Sequence, residues 1–329
     1  MKNRDFVRIA VSASVAIAVL GGCGGQQAAM GAPTLLRFGP IGAGVVNQPS
    51  AVPEYKASDR LLYVTNFDQK LTPLAIYKAK KGRKPIATIS EDIDNSRGAC
   101  IDGAGTLYVT NDPLSSSGWV SEYAFGQTTP SRVITEGINS PGYCAIDASG
   151  NLWVTNIALD NVTEYPKGST KPQATITDGL TLPIGIAIDR TGNLYVGNLS
   201  YSGSSNIQVY APGKVEPSRT ITSGVSVPDG IAVDADNTLY VTTHTAHGSI
   251  EEYRAGRSQP FVTITDKLSY PADVVVGANG WLYVANEGQY SDEMEILEFA
   301  PHAVKPSRRE ITNGLFHPVG VAYYPPLLP

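Results

Sequence analysis

One five-residue phrase, close to Leu-Tyr-Val-Thr-Asn, returns six times along the chain, ending at Asn66, Asn111, Asn156, Asn198, Thr243 and Asn286. The steps between these endings are 45, 45, 42, 45 and 43 residues. A period of that length holding several β-rich runs marks the blade of a β-propeller. The fourth repeat shows four such runs, Ile186 to Ile188, Leu194 to Asn198, Asn206 to Tyr210 and Ser218 to Thr222, punctuated by Asn, Gly and Pro. They predict a four-stranded antiparallel meander. The first two runs are almost wholly apolar, as strands buried on both faces are. The fourth carries Arg132, Gln173, Arg219 or Arg308 near its start, which suits an outer edge where charge discourages pairing with another molecule.

Six phrases are present, but only five good first runs precede them. The C-terminal Pro318-Val319-Gly320-Val321-Ala322-Tyr323 repeats the Pro-x-Gly-apolar pattern of residues 183–188 and 228–233. The end of the chain is therefore expected to supply the innermost strand of the first blade and to close an all-β, six-bladed ring over residues 56–329. At 42% hydrophobic residues, that ring can bury its own core without a second domain.

The N-terminus reads as an export signal. Lys2, Arg4 and Arg8 precede the apolar stretch Ile9 to Leu20, and Leu20-Gly21-Gly22-Cys23 follows; the stretch is short for a permanent membrane span. This segment resembles the lipobox of bacterial lipoproteins, which implies cleavage after residue 22 and a diacylglycerol on Cys23. Residues 23–55, rich in Gly, Ala, Gln and Pro, read as a flexible tether. The expected location is exported and membrane-anchored through the lipid, periplasmic or at the cell surface, on the outer membrane if the host has one. Loss of the signal takes the net charge from −5 to −7, and an acidic chain without clustered Lys and Arg argues against nucleic acid as a partner.

Cys100 and Cys144 remain, in equivalent runs of consecutive repeats but offset by one place. Successive strand residues face opposite ways. The offset therefore turns the two thiols either toward each other across neighbouring blades or directly apart, and both a disulfide and two buried free thiols are open.

The phrases Pro228-Asp229-Gly230-Ile231-Ala232-Val233-Asp234 and Gly192-Asn193-Leu194-Tyr195-Val196 resemble those of NHL-repeat and senescence-marker/gluconolactonase-like propellers. The likeness covers about residues 56–329 and concerns blade grammar, so it speaks for fold more than for activity. In a meander the first strand begins, and the second ends, on one rim. That rim collects Arg97 and Asp229 from the Pro-x-Gly-like turns together with Asn66, Asn111, Asn156, Asn198 and Asn286, and it is the candidate channel-mouth binding site. The asparagines have a second reading, a shared folding role at strand ends. The gluconolactonase-like resemblance implies a divalent cation held at the mouth, with Asp229 at the matching Pro-Asp-Gly position; the other equivalent turns offer no partner ligand. His244 and His247 lie three apart in the fifth repeat, with His317 approaching the same rim. They read as surface histidines, though they could join a carboxylate around zinc or leave open a general base of the streptogramin-lyase-like kind. No nucleotide-binding glycine loop and no nucleophile elbow is present. The expected function is a non-catalytic binding or interaction module without a cofactor, taking a protein or small-molecule ligand at the mouth. The alternatives are a Ca- or Zn-dependent hydrolase or lactonase and a structural envelope protein.

Overall fold

The computed structural model describes residues 55–67, 73–79, 84–113, 116–200, 204–290, 293–307, 311–327 and 329. The export signal, Cys23 and the tether up to residue 54 lie outside the described residues. Six antiparallel sheets form a ring. Blade 1 runs Pro318–Tyr324, Leu61–Asn66, Leu74–Lys78 and Ala87–Ile89 from the axis outward. Blades 2 to 5 take their four strands in chain order, with inner strands Ser96–Ile101, Pro141–Ile146, Pro183–Ile188 and Pro228–Val233. Blade 6 has Pro271–Val276, Leu282–Asn286 and Glu295–Phe299, and a single bridge from Ile296 to Ile311 stands where the outer strand would pair. The C-terminal strand closes the ring: Leu62 pairs with Tyr323 and Val64 with Val321. Each inner strand packs against the next, from blade 2 round to blade 6, and the closing strand touches both neighbours.

The repeated residues account for this geometry. The phrase strands are buried on both faces because each is flanked by a blade on either side, which is why they show no apolar-polar alternation. A tyrosine stands at the end of the third strand in five blades, last in four and next to last in blade 1. Its hydroxyl donates to a carbonyl of the turn leading in from the preceding blade: Tyr77 to Asn313, Tyr123 to Glu91, Tyr165 to Glu136, Tyr210 to Asp178 and Tyr253 to Ser223, all at 2.6–2.7 Å. Blade 6 has Phe299 instead. The phrase threonine makes a second bridge, donating into the inner turn of the next blade. Thr65 reaches Arg97 O, Thr110 Gly142 O, Thr155 Ile184 O and Thr242 Ala272 O, at 2.6–3.1 Å. On the opposite face the hairpins turn on an aspartate: Asp189 Oδ1 accepts from the backbone of Thr191 and Asn193 at 2.9 Å, and Gly192 takes φ +82, a region that only glycine enters without cost.

Cys100 and Cys144 form a disulfide with Cα atoms 5.7 Å apart. Cys100 sits opposite Tyr108 and Cys144 opposite Val154, so the offset turns each sulfur toward the neighbouring blade.

Candidate functional site

The register places one rim as the mouth. Pro141 lies opposite Asn156, Pro183 opposite Asn198, Pro228 opposite Thr243 and Pro271 opposite Asn286. The residue after each phrase donates its N–H to the carbonyl of the residue before the inner strand. Asp112 reaches Asn95, Ile157 Ser140, Leu199 Leu182, His244 Val227, Glu287 Tyr270 and Phe67 His317. Six equivalent side chains thus stand around the entrance on one repeated backbone frame.

The asparagines belong to that frame. Asn66, Asn111, Asn156, Asn198 and Asn286 are each at most 3% exposed, and each Oδ1 accepts from the backbone of the turn entering its own blade: Phe316, Asp94, Asn139, Thr181 and Ser269, at 2.9–3.2 Å. Their amide N–H groups go to the same blade, for example Asn111 to Ser121 and Asn198 to Gly179. Of the two readings that the sequence left open for them, channel-mouth contact and a shared folding role, these hydrogen bonds fit the second, because a buried amide spends its donors and acceptor locally.

What converges on the axis are the positions that differ between blades. Arg97 Nε lies 3.0 Å from Asp112 Oδ2. Glu287 joins two histidines, with His244 Nε2 at 2.8 Å from one oxygen and His317 Nδ1 at 2.9 Å from the other. With Glu287 ionised, both of those ring nitrogens would have to carry hydrogen, since a carboxylate only accepts. His244 Nδ1 faces Asp229 Oδ2 at 3.8 Å, and Tyr270 packs edge-on against the His244 ring. Burial alone would lower the His244 pKa, but the Glu287 hydrogen bond and the Asp229 charge outweigh it and raise it. Burial raises the pKa of Asp229 against the opposing charges of His244 and Arg97. His244 and Asp229, both singled out by sequence, therefore do meet; exposed His247 does not complete a ligand set. Both Glu287 oxygens are spent on imidazole nitrogens, so the donors face one another rather than a common point. Among the described residues no group of three His, Cys, Asp or Glu side chains is arranged for a metal.

Two residues on the axis have no counterpart in the other blades. The third position of the inner turn is Gly98, Gly185, Gly230 and Gly320 in four blades, but Tyr143 in blade 3 and Asp273 in blade 6. The glycines are forced: a Cβ on Gly98 would lie 2.8 Å from the Tyr143 ring, and one on Gly230 2.7 Å from Asp273 Oδ1. Tyr143 is buried and crosses the ring to donate to Val319 O at 2.8 Å, where Ala285 leaves blade 6 without the threonine bridge. It floors the mouth. Beneath it lies a cavity of about 140 Å³, bounded by the inner strands, the disulfide and the C-terminal residues Pro326, Leu327 and Pro329. Asp273 lines it, accepting from the backbone of Val274 and Val321 at 2.8 and 2.9 Å, and burial pushes its pKa up to about 8 despite those bonds.

No family model and no curated protein matches the chain. Among solved structures it is similar to a protein of unknown function from Bacteroides caccae, with TM-score 0.62, 13% identity and coverage of 81% of this chain and 99% of that one. It is also similar to a chain of the nidogen/laminin complex, with TM-score 0.61, 18% identity and coverage of 80% and 97%. At such identities the likeness establishes the six-bladed propeller fold alone.

Proposed function

We propose that the chain is an exported, lipid-anchored propeller that binds a protein or small-molecule ligand at the mouth without catalysing its conversion. The observation that carries this reading is a division of labour on the mouth face. The repeated Asn, Thr and Tyr side chains are consumed by the scaffold, whereas Arg97, Asp112, Asp229, His244 and His317, each particular to one blade, gather at the entrance with side chains 11–32% exposed. Distinct groups on a common rigid frame are how a ring acquires specificity. The loops of this face carry eleven carboxylates against Arg97 and Lys267 among the described residues, which favours a ligand with cationic or donor groups and disfavours nucleic acid. The Cys100–Cys144 disulfide supports an oxidising compartment, and the Leu-Gly-Gly-Cys23 segment supports the anchor. The likeness to a chain from a complex of two proteins is compatible with a protein ligand.

The test is to recover what the protein carries from its native host. Molecules released from the purified chain by denaturation are identified by mass spectrometry, with Arg97→Met and Glu287→Gln alongside. The expected result is a compound depleted in both variants and returned unchanged after incubation with fresh protein; conversion to a product overturns the non-catalytic reading. Labelling with a radioactive fatty acid should mark the wild type and fail on Cys23→Ala, and equal labelling ends the anchor reading.

A second reading, a metal-dependent hydrolase or lactonase, draws on the run of acid-base groups His317, Glu287, His244 and Asp229. Stoichiometric Ca or Zn in the purified protein, lost in Asp229→Ala, would favour it.

A further inference from the structure

The face opposite the mouth carries the opposite sign at its edge. The loops joining third to outer strands form its outer rim, and their described residues hold seven Lys or Arg, among them Lys84, Lys167, Lys171, Lys214, Arg257 and Lys305, against one carboxylate, Glu216, whereas the hairpins nearer the axis on the same face carry Asp102, Asp147, Asp189, Asp234 and Asp236 against Arg190. The mouth face, by contrast, is dominated by carboxylates. An acidic protein thus presents a basic outer rim on its underside, opposite an acidic mouth face.

Apolar side chains are interleaved with those cations. Of the exposed large hydrophobic residues, Ile86 at 40%, Val215 at 54%, Phe261 at 42% and Val304 at 50% all fall in these loops or at their ends. Val215 adjoins Lys214, Val304 adjoins Lys305, and the Arg254 guanidinium stands 4.7 Å from the centre of the Phe261 ring. Single exposed apolar residues are ordinary. A pairing of one with a cation in four of the six blades, and on one face only, is not.

The chain also enters the ring on this side. Tyr55 packs edge-on against Phe125 in the lower loop of blade 2, with ring centres 5.3 Å apart, and Phe125 packs against Tyr324.

We propose that this lower rim docks on an anionic phospholipid surface. Lys and Arg meet the headgroup phosphates, and Ile86, Val215, Phe261 and Val304 reach into the interface. The net negative charge would repel the chain from such a surface if it were spread evenly; segregation of the cations to one rim lets the ring approach in one orientation, mouth outward. That orientation agrees with a lipid on Cys23, but the docking does not require one.

The test uses the chain without residues 1–23, which carries no acyl group. All the described strands and the closing pairing lie in residues 61–324, so the deletion leaves the fold intact. Co-sedimentation is measured with phosphatidylcholine vesicles with and without phosphatidylglycerol. The expected result is binding only to the anionic vesicles, abolished by high salt. At about 1 kcal/mol per basic residue, roughly fivefold each, the variant Lys214→Glu/Arg257→Glu/Lys305→Glu should bind at least on the order of 100-fold more weakly. The variant Val215→Ser/Phe261→Ser/Val304→Ser should bind more weakly with its salt dependence kept, and mouth-face Lys267→Glu should bind as wild type. Binding to neither vesicle, equal binding to both, or undiminished binding by the lysine and arginine variant overturns the proposal. Because no acyl group is present, these outcomes are separate from the fatty-acid labelling that tests the anchor.

Discussion

Breaking the Cys100–Cys144 cross-link tests how blades 2 and 3 are held together. The two residues are 44 apart in sequence, and closing a loop of that length in the unfolded chain removes about 13 cal/mol/K of entropy, or about 4 kcal/mol at room temperature. The sulfurs themselves contribute less, since Cys144 is buried but Cys100 only half-buried, and two alanines there forfeit about 1 kcal/mol of burial. Spread over an unfolding entropy of about 2.1 cal/mol/K per residue for residues 55–329, the cross-link is worth about 7 °C of Tm. Urea unfolding followed by tryptophan fluorescence, with and without a phosphine reductant and on Cys100→Ala/Cys144→Ala, separates the contributions. Oxidised protein should exceed reduced protein by about 3–4 kcal/mol, and the double variant should lie near the reduced value. A difference below about 1 kcal/mol, or two thiols titrating in the unfolded, unreduced chain, would refute the reasoning.

Three further outcomes follow from the same geometry. Tyr253→Phe removes the hydroxyl that reaches Ser223 O at 2.7 Å and should cost about 1–2 kcal/mol in the same assay, because the carbonyl is left short of a donor; no loss would deny that these hydroxyls join blades. Asp273 holds its proton to about pH 8 in the fold, whereas an unfolded aspartate releases it near pH 4. Its raised pKa favours the fold at low pH, and the advantage is lost as pH rises through that window, by up to about 1.4 kcal/mol per pH unit. Asp273→Asn should flatten the fall of stability between pH 5 and pH 8, and an unchanged slope would contradict a protonated carboxyl in the channel. Glu287→Gln removes the carboxylate charge and the charge-assisted hydrogen bond that raise the His244 pKa, so the pH at which the His244 ring protonates, read by NMR, should fall; a value that stays put would mean that the Asp229 charge alone sets it.

The scaffold was legible in the sequence because every blade solves the same packing problem. Each phrase strand lies between two sheets, each asparagine closes the turn that enters its blade, and residues 318–323 supply the one inner strand that chain order lacks. Repetition turns those shared demands into a visible period. The entrance is the reverse case. The position after each phrase reads Phe67, Asp112, Ile157, Leu199, His244 and Glu287; the phrase ends mark one rim for all six, but only the fold reveals which of them meet there. Of the residues that meet there, Arg97, Asp229 and His244 could be placed by their motif or turn, and His317 by its approach to the rim. Glu287 follows a phrase end and so belongs to that rim in sequence as well, but its joining of the two histidines could not be read, since its partners come from two other blades.

The axis was the hardest part to read, and for a physical reason. Six inner turns crowd one line, so a side chain there is permitted only where the facing blades give up theirs. Gly98 in the neighbouring blade 2 leaves the room that Tyr143 fills, and Gly230 in blade 5 the room for Asp273. In sequence, Pro141-Gly142-Tyr143 presents a glycine one place early, and it passes for the ordinary turn. The informative signal was therefore a break in the repeat rather than the repeat itself: four glycines and two large side chains at the third position of the turn. The same logic assigns Tyr143 its role. Thr65, Thr110, Thr155 and Thr242 each bridge to the next blade, but Gly197 and Ala285 cannot, and at the Ala285 seam, where the ring is closed by the end of the chain, the hydroxyl of Tyr143 supplies the missing donor from across the channel. Tyr143→Phe should weaken that seam before any other, so hydrogen exchange should rise first in the amides of residues 318–324 and 282–286. Uniform exchange around the ring would show that closure does not depend on the tyrosine, and that its place over the channel serves the mouth alone.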